Sequence, residues 1–376
     1  MSVDNLRSIE ARPPISLERM RGGRPVLTAA PAHSWESRVV LNPAAVLVES
    51  GPAMEVLLEK WELPENRRAR LREAGGAVVM LYRAQGDPEP SKDFSPSYLG
   101  LAVLTPQLEL VNRRAEPVIE PRETFHDFGV EDPRCTLVGN TYYLHYTGYS
   151  GVHQTERGVA GVTQICLATT KDFLDWDLRG PVTGDLNAVS NKNAALFPVP
   201  VHGKWLMLHR PMAGPGAMTI HLAEADHPDG PWATRGPFME SYRYAEFARS
   251  WIGAGGPPLS LGGDRFLVIY HQGHFTREET REYDLAAALV DFNQADPVIS
   301  RIEPLMRPSR ALEQRGDPRL GVDNVLFTCA NYRLGEQLIV PYAGADSRIF
   351  GATVPFDRLV AALEPDSSEP DDDDRE

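Results

Sequence analysis

The sharpest chemical signal in the chain is the string Glu131-Asp132-Pro133-Arg134. A carboxyl group there can give or take a proton, and Pro133 should hold Asp132 in extended backbone, because the ring disfavours the helical region for the preceding residue. Taken alone, the string equally fits a solvated turn whose arginine pairs with its own carboxylates. Cationic or protonatable residues recur at matching places further on: Lys192 in Asn191-Lys-Asn-Ala-Ala-Leu-Phe-Pro198, Arg210 in His209-Arg-Pro211, and His271 after Tyr270. Each alone reads as a surface charge or a satisfied polar side chain. Three of them facing one carboxylate would make an anion site beside a proton donor.

Residues so far apart need a fold that brings loop ends together. Short apolar runs recur at Ala77–Tyr82, Thr141–Tyr146, Lys204–His209, Arg265–Tyr270 and Gln337–Tyr342, each ending in Tyr or His. A second strand-like run follows each: Tyr98–Val103, Gln164–Ala168, Met218–Ala223, Tyr283–Ala288 and Ile349–Ala352. Acidic or aromatic closers come next, at Asp172–Trp176, Asp229–Trp232 and Asp357–Leu359. Five copies about 60–70 residues apart, bounded by Gly, Pro and Asp, predict an all-β chain folded as a five-bladed β-propeller. A two-sheet sandwich with insertions is the plainer alternative. One helix is expected, from Met54 to about Glu73. A propeller gathers polar residues from the inner ends of several blades around its channel, which is the concave form of a small-molecule pocket.

The catalytic domain is expected over residues 35–363. Residues 1–34 are Arg- and Pro-rich without periodicity and read as a poorly ordered extension; residues 364–376 read as a disordered acidic tail. That tail has eight acids and one Arg, so it carries half of the chain's net charge of −14. It should be dispensable. A body with no basic excess is a poor partner for nucleic acid. The three cysteines, Cys135, Cys166 and Cys329, form no framework, no run is long enough for a membrane span, and no signal peptide opens the chain, which together predict a cytoplasmic protein. Nucleotide, zinc-protease and α/β-hydrolase motifs are missing, and His271-Gln-Gly-His274 lacks a third metal ligand. No metal and no cofactor are expected. Among the tryptophans, Trp205 and Trp232 read as blade core, and Trp251 as a surface for sugar.

Taken together, Glu131–Arg134, Asn191-Lys192 through Pro198, His209–Pro211, Ile252-Gly253 through Pro258, Tyr270-His271 and Tyr342–Asp346 resemble glycoside hydrolase family 130, the β-mannoside phosphorylases and related mannosidases. The likeness runs in order from about Asn42 to Leu359, and the family's fold is a five-bladed β-propeller. It implies an inverting glycoside phosphorylase that cleaves a β-linked mannoside with inorganic phosphate as co-substrate, giving α-mannose 1-phosphate and a shorter sugar. Asp132 would be the general acid, working through the sugar's 3-hydroxyl. Lys192, Arg210 and His271 would hold phosphate, helped by Tyr283. Asn42, Arg83 and Asp346 would line the sugar site. Two departures stand out: Trp251 occupies a place that is basic in many relatives, and Gln272 separates His271 from Gly273.

Hydrolytic inversion needs two carboxyl groups, one protonating the leaving oxygen and one activating water, whereas phosphorolysis needs the acid and a cluster of cations. Retention of Lys192, Arg210 and His271 therefore favours phosphorolysis over a β-mannosidase. A non-catalytic sugar-binding propeller has no need of Asp132 beside three such groups. The expected partners are small molecules, a β-mannoside and phosphate, and self-association into a homo-oligomer is left open.

Overall fold

The structure is a computed structural model that describes residues 15–88, 94–155, 158–241, 249–276 and 279–365. Five antiparallel sheets of four or five strands form the blades of the expected propeller. The blades start with inner strands Val39–Glu49, Gly129–Val138, Asn191–Leu196, Ser250–Ala254 and Leu326–Phe327. Second strands run back over Gly76–Gln85, Thr141–Thr155, Trp205–Pro211, Arg265–Phe275 and Gln337–Gly344. These contain the five apolar runs that predicted the repeat.

The reason those runs are continuously apolar is visible in the packing. Successive strand residues point to opposite faces, and both faces of a blade are covered by its neighbours. In the first blade Val79 and Leu81 enter a core shared with the second blade, while Val78, Met80 and Tyr82 enter one shared with the fifth. Three further cores join second to third, third to fourth and fourth to fifth blades. With a core at every junction, the ring is closed.

Closure itself uses the N-terminus, against the expectation that residues 1–34 are poorly ordered. Glu18 and Arg19 form a strand that pairs with Thr353 and Ala352 of the fifth blade. Arg19 donates two 2.7 Å hydrogen bonds to Glu313, whose side chain is 1% exposed, and Leu17 is buried in the core between fourth and fifth blades. Arginine and proline content hid a segment that orders through one bidentate ion pair and a two-residue ladder. Residues 1–14 and 366–376 lie outside the described residues, and with them nearly all of the tail. Two other expectations change. The helix from Met54 to Glu73 is two, Pro52–Lys60 and Glu65–Glu73, separated at Pro64. Asp357–Leu359 belongs to a helix, Phe356–Leu363, whose Phe356, Leu359 and Leu363 sit under the fifth blade.

Candidate active site

The inner strands of the first three blades share an irregularity. Their pairing slips between Leu41 and Ala44, between Glu131 and Arg134, and between Lys192 and Ala195. Each bulge puts one short polar residue in left-handed backbone: Asn42 at φ 48, Asp132 at φ 51 and Asn193 at φ 57. Asn and Asp tolerate that region better than other side chains, and bulges re-aim a side chain from the sheet face. Pro133 therefore does not hold Asp132 extended as expected; the bulge overrides the preference. The proline also costs no ladder bond, because a bulge leaves an amide unpaired.

Around Asp132 the partners come from three blades. Asn42 donates from Nδ2 to Asp132 Oδ1 at 2.7 Å, and Arg83 Nη1 lies 3.4 Å from the same oxygen. Arg83 Nη2 is 2.8 Å from Glu131, and Lys192 Nζ donates to the other oxygen of Glu131 at 3.0 Å. Arg134 does not pair with its own string's carboxylates; its guanidinium donates to the backbone oxygens of Asp132, Ala254 and Gly255, fastening the second blade to the fourth. Burial pushes the Asp132 carboxyl up, but Arg83, Lys192, Arg134 and the Asn42 amide outweigh it, so Asp132 lies below the usual aspartate range.

Across the channel lies a second group. Arg210 is 6% exposed, pairs in register with Lys192, and has His271 Nε2 3.4 Å from its Nη1. Among the described residues no carboxylate reaches it, and its Nε is buried without a partner. His271 packs its ring 4.1 Å from Phe327, and burial, then Arg210 and Arg134, hold it neutral. Asn193 is 1% exposed with both side-chain polar atoms unpartnered. A methyl group placed on Gly253 would lie 2.5 Å from His271 Nε2 and 2.7 Å from Asn193 Oδ1, so both side chains close in on this glycine and leave no room for a larger residue. Tyr283 stands 6.1 Å from His271 between ring centres; burial raises its phenol, with Arg210 and Arg281 opposing.

The sequence-derived residues thus fall into two clusters, Asn42, Arg83, Asp132 with Lys192, and Arg210, His271 with Tyr283. Trp251 departs from its expected part. It is 7% exposed, meets Tyr283 and Phe275 edge-on at 5.3 and 5.6 Å, and lies against Gly273, so it braces Tyr283 and has little open ring to offer a sugar. Asp346 sits in the hairpin turn of the fifth blade with Ala345, both left-handed at φ 46 and 48. Hydrogen bonds from Ala345 to Val325, from Val322 to Ala345 and from Ser347 to Ala345 hold that turn. Burial pushes the Asp346 carboxyl up to about 7; Arg83 and Arg281 oppose this, while Asp132 and Glu131 add to it.

Glu131, Arg134 and Asn193 were not assigned separate roles from the sequence. Their signal was the repeated pattern Leu-Asn-Pro-Ala, Glu-Asp-Pro-Arg and Lys-Asn-Ala-Ala, an Asn or Asp interrupting an inner strand. A cavity of about 580 Å³ lined by Lys60, Tyr143, Asp172, Trp176 and Asp229 lies at the opposite end of the second blade's strands and holds none of these groups. Among the described residues no helix is long and apolar enough to cross a membrane, and no three His, Cys, Asp or Glu side chains are grouped to hold a metal.

Comparison with known proteins identifies the family. A family model described as beta-1,4-mannooligosaccharide phosphorylase matches residues 68–364. A 1,2-beta-oligomannan phosphorylase of Thermoanaerobacter sp. (strain X514) is 30% identical over 339 residues, 89% of this chain and 96% of its own. A beta-1,2-mannobiose phosphorylase of Listeria innocua is 29% identical over 251 residues, covering 66% of this chain and 64% of its own. The solved beta-1,2-mannobiose phosphorylase from Listeria innocua, in complex with beta-1,2-mannobiose, shares the fold with a TM-score of 0.67 at 21% identity, over 92% of this chain and 99% of that one. The family model's span and the 30% relative place the chain in glycoside hydrolase family 130.

Proposed function

We propose that the chain is an inverting β-mannoside phosphorylase, acting on β-1,2-linked mannosides to release α-mannose 1-phosphate. The observation that carries the reading is Arg210, a buried guanidinium that no carboxylate reaches among the described residues, beside His271 and near the unpartnered amide of Asn193. A buried unpaired cation is costly, and phosphate supplies the opposite charge with oxygens for a planar fork. The two acids besides Asp132 argue against a water-activating base. Glu131 is tied to Arg83 and Lys192, and Asp346 keeps its proton to about pH 7. Among the described residues the cations Arg83, Arg134, Lys192 and Arg210 outnumber the charged acids beside them, Glu131 and Asp132, which suits a dianion.

In this reading a phosphate oxygen attacks the anomeric carbon from the face opposite the leaving oxygen. The C1–O bond breaks, and the proton from Asp132 passes to the leaving oxygen by way of the sugar's 3-hydroxyl. Asp132 is ionised in the free chain. Arrival of a phosphate dianion beside Arg210 offsets the field of the neighbouring cations and raises the proton affinity of Asp132, so acid catalysis belongs to the ternary complex. The choice of β-1,2 linkage follows the 30% relative rather than the family model's description.

The test is anomer-resolved product analysis on β-1,2-mannobiose with and without phosphate. Mannose 1-phosphate of α configuration should form only with phosphate, and Arg210→Ala should weaken phosphate dependence far more than sugar binding. Equal release of free mannose in phosphate-free buffer would make the chain a mannosidase.

A further inference from the structure

Arg134 is 1% exposed, and its guanidinium donates to three backbone oxygens, those of Asp132, Ala254 and Gly255. The bonds of Asn42, Arg83, Lys192 and Arg210 join neighbouring blades: first to second, third to second and third to fourth. Arg134 instead joins the second blade to the fourth, past the third and across the channel.

The two ends of this strut are not held alike. On the fourth blade, Ala254 pairs with Tyr270 in the ladder, and the Gly255 amide donates to the Ile269 oxygen at 3.0 Å. On the second blade the ladder skips Asp132, passing from Glu131 straight to Arg134. A bulged residue is left without a strand partner, so the Asp132 oxygen depends on Arg134 Nη1, 3.0 Å away. Nε and Nη2 grip the fixed end at 2.7 and 2.8 Å, and because the guanidinium is a rigid planar fork, they set the direction of Nη1. The position of the fourth blade is thereby passed to the backbone of the residue that carries the acid. That blade also bears His271, in register with Gly253.

We propose that Arg134 is a positioning residue for Asp132, holding the acid-bearing bulge in place from across the channel so that the acid meets the leaving oxygen. The proposal rests on the proposed phosphorolysis with Asp132 as its acid, and the experiment reads the two separately. Arg134→Lys keeps the charge but loses the planar fork. It is compared with wild type at saturating phosphate on β-1,2-mannobiose, whose leaving oxygen needs a proton, and on 2,4-dinitrophenyl β-mannoside, whose leaving group departs without one. The variant should lose about 100-fold in kcat on mannobiose, the cost of roughly an ångström of misplacement, stay within about three-fold on the aryl mannoside, and keep its KM for phosphate. A merely structural brace lowers Tm with equal losses on both substrates or none, and either result overturns the proposal, as does a raised KM for phosphate as the main effect. Asp132→Asn in the same assay tests the acid itself. Release of free mannose without phosphate would remove phosphorolysis and still leave the ratio of the two losses to read the strut. Where Arg134→Lys does not fold, Arg134→Gln takes its place, and failure of both to fold also overturns the positioning role. Should the wild type cleave neither substrate, crystal structures decide: an Asp132 carboxyl that stays within about 0.5 Å of its wild-type position in the variant overturns the strut.

Discussion

Gly253→Ala crowds the groups proposed to hold phosphate by adding one methyl group. Gly253 is not in the left-handed region, so alanine suits the backbone and the cost is purely one of room. The new carbon would sit 2.5 Å from His271 Nε2 and 2.7 Å from Asn193 Oδ1, where ordinary contact begins at 3.4 Å. The shortfall is about 0.9 Å on the histidine side. Gly253 cannot retreat, because it pairs directly with His271 in the ladder, and Asn193 is pinned in its bulge. His271 must therefore swing by most of an ångström against Phe327. A misplacement of that size costs on the order of 100-fold in a well-oriented reaction, about 2.7 kcal/mol at the transition state. Initial rates against phosphate concentration should show kcat/KM for phosphate falling by about that factor, with the KM for mannoside changed much less. Overpacking should also lower stability by roughly 1–3 kcal/mol, readable as a drop in Tm. A folded variant with wild-type phosphate kinetics would refute the assignment of His271 and Asn193 to phosphate.

Two further substitutions probe the carboxyl groups. Asp132→Asn keeps a residue that tolerates φ 51, so the bulge survives while the proton is lost; turnover should fall roughly 10²–10⁴-fold at saturating substrates, and near wild-type rates would remove Asp132 from the mechanism. Asp346 is protonated below about pH 7 and becomes a carboxylate above it, adding negative charge near Asp132 and Glu131. The KM for phosphate should then rise by roughly three- to ten-fold between pH 6.5 and 8.5 in the wild type, and Asp346→Asn, which cannot ionise, should flatten that rise. Phosphate's own ionisation is common to both proteins, so identical profiles would refute the link.

The blades were legible in the sequence because the second strands are buried on both faces, which writes runs such as Phe266–Tyr270 as unbroken apolar strings. Outer elements were less so. Glu18–Arg19 is too short for periodicity, and its place depends on Glu313, nearly 300 residues away. At the site, Asp132, Arg210 and His271 could be picked by residue type and order, whereas Asn193 could not, because an asparagine among alanines carries no charge to notice. Its part follows from the bulge, which no local propensity announces. Trp251 was misjudged for a related reason: its sequence position is at a blade end, but Gly273 opens a slot on the adjacent strand into which the indole folds.

The repeated bulge makes positions 42, 132 and 193 three sockets of the same shape, wired with Asn, Asp and Asn. Since the backbone at each already accepts either side chain, carboxyl and carboxamide can be exchanged among them without remodelling the propeller. An aspartate in the socket at 193 would stand across the channel from Asp132 and beside Arg210, where it would compete with phosphate for the guanidinium. It would also give water a second carboxylate, the arrangement inverting hydrolysis requires. Asn193→Asp is therefore a practical handle for redesign, because it would supply one of the two carboxyl groups that inverting hydrolysis needs without disturbing the bulge.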